Sequence, residues 1–129
     1  MAVLRYNEIP IDPGDAGVAA RRMVNAAMGA RSITMGISVF EPGAAIFLHT
    51  HPCEETVIIL DGEGMAEIDG EIYTLARYDT SFVPPLVPHR FWNASDRPMT
   101  MAYFYPMANP SRDPVLRPGE LPPPSTSHD

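Results

Sequence analysis

The sequence contains one cysteine, few basic residues and no long apolar segment. Because Cys53 stands alone, an internal disulfide is excluded. The N-terminus lacks the apolar core of a signal peptide, and no apolar run approaches the length that crosses a membrane, so we expect a soluble, cytoplasmic protein. Nine basic residues stand against sixteen acidic ones among 129, which gives a formal charge of −7. This balance argues against nucleic-acid and membrane partners.

Proline is frequent but unevenly distributed. Beyond residue 105 it recurs at Pro106, Pro110, Pro114, Pro118, Pro122, Pro123 and Pro124. Proline has no amide hydrogen for a helix or a strand ladder, and this region has few apolar side chains, so we expect the tail to form no helix or ladder hydrogen bonds and its last ten residues to be disordered. We therefore predict an N-terminal arm at 1–17, one domain at 18–107 and a proline-rich, partly disordered tail at 108–129. His128 lies in that tail and is not a ligand candidate.

Between the arm and the tail, short runs rich in β-forming residues alternate with turn signals. This pattern predicts an all-β sandwich or barrel. Asp69-Gly70 between two such runs is typical of a two-residue hairpin turn. The predicted strands cover residues 32–40, 46–51, 56–60, 65–68, 71–75, 80–83, 90–93 and 99–105. Residues 15–31 conflict with the pattern, because their alanine, methionine and arginine content favours a helix.

The segment from His49 to Glu55 concentrates the chemistry of the chain. Histidines at positions i and i+2 share a face only if the backbone is extended, so His49 and His51 point together on a strand. Glu55 can return to the same point after the bend at Pro52. Imidazole and carboxylate together suit iron, manganese, nickel, zinc or copper better than calcium or magnesium. The alternative interpretation is a surface cluster at a strand end. Cys53 is interpreted as a small, half-buried turn residue rather than a ligand.

From Gly43 to Gly62 the sequence reads G-x5-H-x-H-x3-E-x6-G, which matches the first signature of the cupin superfamily without a mismatch. The second cupin signature, G-x5-P-x-G-x2-H-x3-N, is matched in part. Pro84, His89 and Asn93 occupy its proline, histidine and asparagine positions. Tyr78 and Leu86 replace its two glycines, which puts the shape of that loop in question because glycine usually supplies a positive φ.

The resemblance covers roughly residues 18–105 and carries several implications. It implies a jelly-roll barrel, also described as a double-stranded β-helix. It implies a strand rather than a helix at 18–24, with a turn near 25–30. It also implies one divalent transition metal with two open octahedral positions and a homodimer that pairs through N-terminal strands. The implied metal ligands are His49, His51, Glu55 and His89.

Strand parity indicates which side chains line the pocket. Phe47 shares a face with the first two histidines, Val57 and Ile59 share one with Glu55, and Phe91 shares one with His89. Tyr103 is a further candidate, although the sequence does not decide which face of 99–105 points inward. An apolar pocket of this kind suits a small organic ligand. Ordinary barrel core is the alternative for each of these residues.

The leading functional hypothesis is a metal-dependent enzyme acting on a small organic molecule. Dioxygenase chemistry comes first, because the implied site leaves two coordination positions open. Lyase, isomerase or polyketide cyclase chemistry follows closely, with a tyrosine such as Tyr103 or Tyr105 moving a proton. The alternative is a non-catalytic cupin that binds a small molecule or carbohydrate as a sensor.

Overall fold

The computed structural model describes residues 2–121. Ten strands in this range form two five-stranded antiparallel sheets. The strands are β1 (Val18–Val24), β2 (Thr34–Phe40), β3 (His49–Thr50), β4 (Glu55–Asp61), β5 (Gly64–Ile68), β6 (Glu71–Leu75), β7 (Thr80–Val83), β8 (His89–Trp92), β9 (Met99–Tyr105) and β10 (Asp113–Pro114). The first sheet has the order β1-β2-β9-β4-β7, and the second has the order β10-β3-β8-β5-β6. The predicted all-β jelly-roll barrel is confirmed.

Alternation along the strands directs one face of each sheet into a shared core. Burial along β2 strictly alternates, and β4 alternates until its last residue. The two sheets meet on a cluster that includes Val57 and Ile59 from β4, Phe91 from β8 and Met101 from β9. On the last long strand the inward face carries Met99, Met101, Tyr103 and Tyr105.

The segment whose composition favours a helix forms strand β1 instead. β1 pairs with β2 in antiparallel register from Val18 opposite Phe40. Tertiary pairing and the burial of Val18, Ala20 and Met23 outweigh the local helix propensity. The following turn is a short 3₁₀ helix, Ala26–Met28. The predicted strand and turn are therefore both found.

One predicted strand is much shorter than expected. Residues 46–51 were predicted to be extended, but only His49–Thr50 is a strand. The backbone before this strand forms isolated pairings with β8. Ala45 forms an isolated β-bridge with Trp92, and the Ile46 amide donates to the Phe91 carbonyl at 3.1 Å. The segment still runs along the second sheet, and it places His49 and His51 in the barrel interior.

Several turns adopt left-handed backbone conformations. Asp69 and Gly70 have φ of 52° and 81°, as a two-residue type I′ hairpin requires. Tyr78 and Leu86, which replace the glycines of the second signature, also have positive φ, 73° and 64°. The loop geometry is thus kept without glycine, at a conformational cost of about 1–2 kcal/mol for each residue.

The arm and the tail both contact the barrel. In the arm, the Asp12 amide donates to the Ala20 carbonyl at 2.8 Å. In the tail, β10 pairs with β3, and the Val115 amide donates to the Leu48 carbonyl at 2.9 Å. The expectation that the tail forms no ladder hydrogen bonds is therefore wrong here: β10 is an edge strand, where proline is tolerated.

The division into arm, barrel and tail stays a prediction. Most of the segment predicted to be disordered, including His128, falls at 122–129, outside the described residues. Among residues 2–121, no helix is long and apolar enough to span a membrane.

Candidate metal centre

Both sheets contribute to a cluster of three histidines and one glutamate. His49 begins β3 and lies in register with His89, which begins β8 of the same sheet. Glu55 begins β4 of the first sheet, and His51 lies in the connection between β3 and β4. One potential ligand atom from each of the four residues lies within 4.8 Å of the others. All four side chains are buried, with at most 2% of the residue surface exposed. The structure thus brings the four predicted ligands together.

Backbone carbonyls fix the orientation of all three imidazole rings. Nδ1 of His49 lies 2.7 Å from the carbonyl oxygen of Phe47. Nδ1 of His51 lies 2.7 Å from the carbonyl oxygen of Ser111, and Nδ1 of His89 lies 2.8 Å from that of Val87. A carbonyl oxygen only accepts hydrogen bonds, so each Nδ1 must carry the hydrogen. A neutral ring then presents the lone pair of Nε2 to the centre of the cluster. Metal-binding histidines are usually held in this way.

The distances between the inward-facing atoms fit a shared cation. The Nε2 atoms of His49 and His51 lie 3.1 Å apart. The Oε1 atom of Glu55 lies 2.8 Å from Nε2 of His89 and 3.8 Å from Nε2 of His51. Ligands bound at about 2.0–2.2 Å from one ion are separated by roughly 3 to 3.5 Å. Three neutral rings and one carboxylate suit a divalent transition ion, so this cluster can hold one.

Two tyrosines of β9 complete the inner surface beside the cluster. The Tyr105 hydroxyl lies 3.1 Å from Nε2 of His51, and because that nitrogen presents a lone pair, the hydroxyl donates. Tyr103 packs against Tyr105 with ring centroids 5.5 Å apart and is only 1% exposed. The sequence left open which face of this strand is inward, since both faces carry apolar and aromatic residues.

The other predicted pocket residues lie in the barrel core. Val57, Ile59 and Phe91 belong to the central apolar cluster and are almost fully buried. Phe47 is half-buried, with its ring edge-on to His49 at a centroid distance of 5.6 Å. Their contact with a substrate stays a prediction. Cys53 is half-buried against the core, as expected, and is not a member of the four-residue cluster.

Two polar residues around the second signature have structural roles. Asn93 is buried, and its amide donates to the Phe40 and Arg97 carbonyls at 3.0 and 2.7 Å. The Asp79 carboxylate accepts from the Ala76 amide at 2.8 Å. Both side chains hold turns that connect barrel strands.

Sequence reasoning missed the contribution of the tail to this site. Ser111 supplies the carbonyl for His51, and the neighbouring Arg112 is buried. The Arg112 guanidinium lies 3.9 Å from the Phe47 ring centroid and 2.8 Å from the Asp15 carboxylate. No local pattern could reveal this, because Ser111 lies 60 residues from His51 in sequence.

A group of exposed apolar residues lies on the outer face of the first sheet, behind Glu55 and Tyr105. A depression of about 290 Å³ is lined partly by Glu55 and Tyr105, together with Ile33, Phe82 and Phe104. These three apolar residues are all exposed. A larger depression of about 770 Å³, formed by residues 61–63, 76–77 and 95–98, includes none of the four clustered residues. Because Phe82 and Phe104 alternate with the buried residues of their strands, the smaller depression lies on the side of the first sheet opposite the cluster.

Comparison with known proteins gives consistent results. A family model described as "Cupin domain" matches residues 36–105, more than half of the chain. "Polyketide synthase CurC" of Streptomyces cyaneus is 34% identical over 77 residues, which are 59% of this chain and 50% of that protein. "Protein SchB" of Streptomyces halstedii is 28% identical over 95 residues, 73% of this chain and 69% of that protein. The chain spans about half the length of the first of these relatives.

Solved structures show the same fold. The polyketide cyclase RemF from Streptomyces resistomycificus superposes with a TM-score of 0.79 at 17% identity, covering 92% of this chain and 88% of RemF. A predicted oxalate decarboxylase from Thermotoga maritima gives a TM-score of 0.73 at 21% identity, with 82% and 99% coverage. Identities this low establish only the fold. The family model, which matches more than half of the sequence, shows that the chain belongs to the cupin family.

Proposed function

We propose that this cupin is a metal-dependent enzyme that cyclises a small polycarbonyl compound of the polyketide class. The observation that carries the proposal is the position of the Tyr105 hydroxyl, 3.1 Å from Nε2 of His51 and inside the buried cluster. A cation bound to Nε2 of His51 would take the lone pair that accepts this hydrogen bond, so the hydroxyl would donate instead to a substrate oxygen beside the cation. The similarity to CurC and the fold shared with RemF support a polyketide-class substrate.

The proposed step needs no oxidant. A divalent cation held by His49, His51, Glu55 and His89 would supply a Lewis acid that polarises a carbonyl group. An α carbon of the substrate loses a proton and attacks a second carbonyl carbon, which forms the new carbon–carbon bond. The electron pair of that carbonyl moves to its oxygen, which takes up a proton and becomes a hydroxyl group. Protons balance, and a later loss of one water gives the unsaturated ring.

The protein contributes orientation, a hydrogen bond and an apolar environment. The Tyr105 hydroxyl donates to the substrate oxygen on which negative charge develops, and such donors act strongly where water is excluded. The packing of Tyr103 against the Tyr105 ring limits its rotation. The apolar side chains that face the barrel interior, among them Val57, Ile59 and Phe91, would suit the hydrocarbon part of a polycarbonyl chain.

Dioxygenase chemistry, the first hypothesis from the sequence, stays a prediction. The two chemistries differ in the metal they need, because zinc is redox-inert and still polarises a carbonyl, whereas reaction with dioxygen needs a metal such as iron or copper. Activity with zinc alone therefore separates a cyclase from a dioxygenase.

The test uses protein purified without a nickel column, stripped with a chelator and reloaded with zinc or iron. The probe is 1-phenylhexane-1,3,5-trione, whose terminal methyl carbon can attack the C1 carbonyl to close a six-membered ring, and mass spectrometry detects a product of equal mass or one lighter by a single water. We expect turnover with zinc and without oxygen consumption. Tyr105→Phe should lower kcat by about 10² to 10³-fold, the usual cost of removing one such donor. Tyr73→Phe is the matched control, because Tyr73 is exposed, its hydroxyl donates to Glu71 on the same strand, and it does not belong to the four-residue cluster.

Two outcomes would refute the cyclase. Oxygen uptake with iron and no turnover with zinc would establish the dioxygenase hypothesis instead. Saturable binding of the probe without turnover under any metal would favour a non-catalytic sensor.

A further inference from the structure

We propose that residues 111–117, here named the C-terminal strap, position the metal centre through His51, and that Arg112 is the residue that anchors the strap. This inference rests on the metal centre of the proposed function and adds to it a dependence on a distant segment. Arg112 touches neither the cation nor the substrate in this proposal, so it is a positioning residue.

The three histidines differ in how their rings are fixed. Nδ1 of His49 bonds to the carbonyl of Phe47, and Nδ1 of His89 bonds to that of Val87, each two residues earlier on the same segment. These two rings are held by local backbone. Nδ1 of His51 instead bonds to Ser111, 60 residues away in the tail. The orientation of His51 therefore depends on whether the strap is docked.

The strap is attached at its start, middle and end. At its start, the fully buried Arg112 side chain pairs with Asp15 of the N-terminal arm at 2.8 Å and stacks on Phe47 at 3.9 Å. In the middle, β10 pairs with β3, the strand that carries His49. At its end, Arg117 pairs with the buried Glu67 carboxylate at 2.7 Å, but the Arg117 side chain is 44% exposed.

The attachment at Arg112 is the one that controls the Ser111 carbonyl. The two residues are adjacent, and the guanidinium is held between the Asp15 carboxylate, which supplies the counter-charge that a buried cation needs, and the Phe47 ring, which adds a cation–π attraction. If Arg112 is lost, the strap can shift and His51 loses the acceptor that keeps the hydrogen on Nδ1. The ring can then carry its hydrogen on Nε2 or rotate, and either change removes a lone pair from the cluster. Loss of such an orienting partner typically lowers the affinity for the metal by about 10–100-fold.

The coupling must also act in the opposite direction. If docking of the strap strengthens metal binding, then metal binding strengthens docking by the same factor. The Val115 amide, which donates to the Leu48 carbonyl, reports this docking because its hydrogen exchanges only when the strap opens. Zinc should therefore slow exchange at Val115 by about 10-fold or more, the same factor that docking adds to metal affinity.

The experiment compares two ion pairs formed by the same N-terminal arm. Arg112→Met and Asp15→Asn break the pair that anchors the strap. Arg22→Met and Asp12→Asn break a pair of similar geometry, 2.7 Å long, that joins the arm to β1 and includes no residue of the strap. Zinc affinity is measured by competition with a chelating dye, and the cobalt(II) form is recorded by visible absorption. We expect about 10–100-fold weaker zinc binding and an altered cobalt spectrum in the first pair of variants only.

Each outcome decides the proposal. Wild-type affinity and an unchanged cobalt spectrum in both Arg112→Met and Asp15→Asn would overturn the strap and leave the metal centre intact. Failure of the wild-type protein to bind zinc or cobalt would refute the metal centre, and the strap proposal with it. If Arg112→Met does not fold, then Asp15→Asn and exchange at Val115 in the wild-type protein decide, and exchange unchanged by zinc would overturn the strap.

Discussion

The barrel interior makes room for Tyr103 by placing a glycine opposite it. Gly36 lies on β2 directly across from Tyr103 on β9. A Cβ atom built on Gly36 would lie 2.7 Å from Cε1 of Tyr103, and closer still to its hydroxyl and Cζ atoms. Contacts below 3.0 Å are not tolerated by real side chains, so Gly36→Ala must displace the Tyr103 ring. That ring is 1% exposed and packs against Tyr105, which leaves it little space to move.

The expected cost follows from two opposing effects. Overpacking a well-filled core costs about 1 to 3 kcal/mol. Replacing glycine by alanine in an extended strand recovers roughly 0.5 to 1 kcal/mol, because the unfolded chain loses freedom. We therefore expect Gly36→Ala to lower the free energy of unfolding by about 1 to 2 kcal/mol, or the thermal midpoint by about 4 to 8 °C.

Thermal and urea unfolding of the metal-free protein, followed by circular dichroism, measures this effect. A double-mutant cycle with Tyr103→Leu identifies its cause. If the ring is what the new methyl group meets, Gly36→Ala should cost little or nothing in the Tyr103→Leu background. Equal costs in both backgrounds, or a Gly36→Ala variant as stable as the wild type, would refute the reasoning.

Four further predictions concern the site, the tail and assembly. His51→Ala combined with His89→Ala should abolish stoichiometric metal binding and leave a folded β domain, as elemental analysis and circular dichroism can check. Truncation after Arg117 should change the thermal midpoint by no more than about 2 °C, within the range of substitutions that remove no buried contact; a drop of many degrees would show that the removed residues pack. The hydrogen bond from Arg117 lowers the pKa of Glu67. The ionised Glu67 carboxylate therefore stabilises the fold at pH values above its unfolded pKa of about 4.3, and this stabilisation is lost as the pH falls through its folded pKa. The difference in the free energy of unfolding between wild type and Glu67→Gln should shrink in acid unfolding curves below about pH 4. Sedimentation at micromolar concentration should show a homodimer, and a clean monomer would contradict this expectation.

The sequence predicted the cluster well because its information is local. Two histidines at i and i+2 and a glutamate four residues later are set by the geometry of a strand and a bend. The same holds for the hairpin at Asp69-Gly70, where the turn type follows from the residues themselves. The family resemblance was needed to favour a metal site over a surface cluster, to add His89 and to override the helix propensity of β1.

The features that could not be predicted depend on contacts between distant segments. Ser111 and Arg112 lie in a tail whose composition indicates disorder, and their role emerges only when β10 joins β3. The inward face of β9 was undecided because Phe104 and Tyr105 are equally compatible with a core position. Tyr78 and Leu86 replaced glycines, and only the backbone shows that they keep the left-handed conformation.

The distribution of the cluster over two sheets has a consequence for how the protein responds to metal supply. Glu55 belongs to the first sheet, whereas His49 and His89 belong to the second. A cation bound by all of them joins the two layers of the barrel, and the layers cannot separate at this end until it leaves. Free metal at 100 times its dissociation constant would add about 2.7 kcal/mol to the free energy of unfolding. The thermal midpoint of this protein should accordingly rise with the free concentration of its preferred metal, so that comparing midpoints across a series of ions would rank their affinities without any knowledge of the substrate.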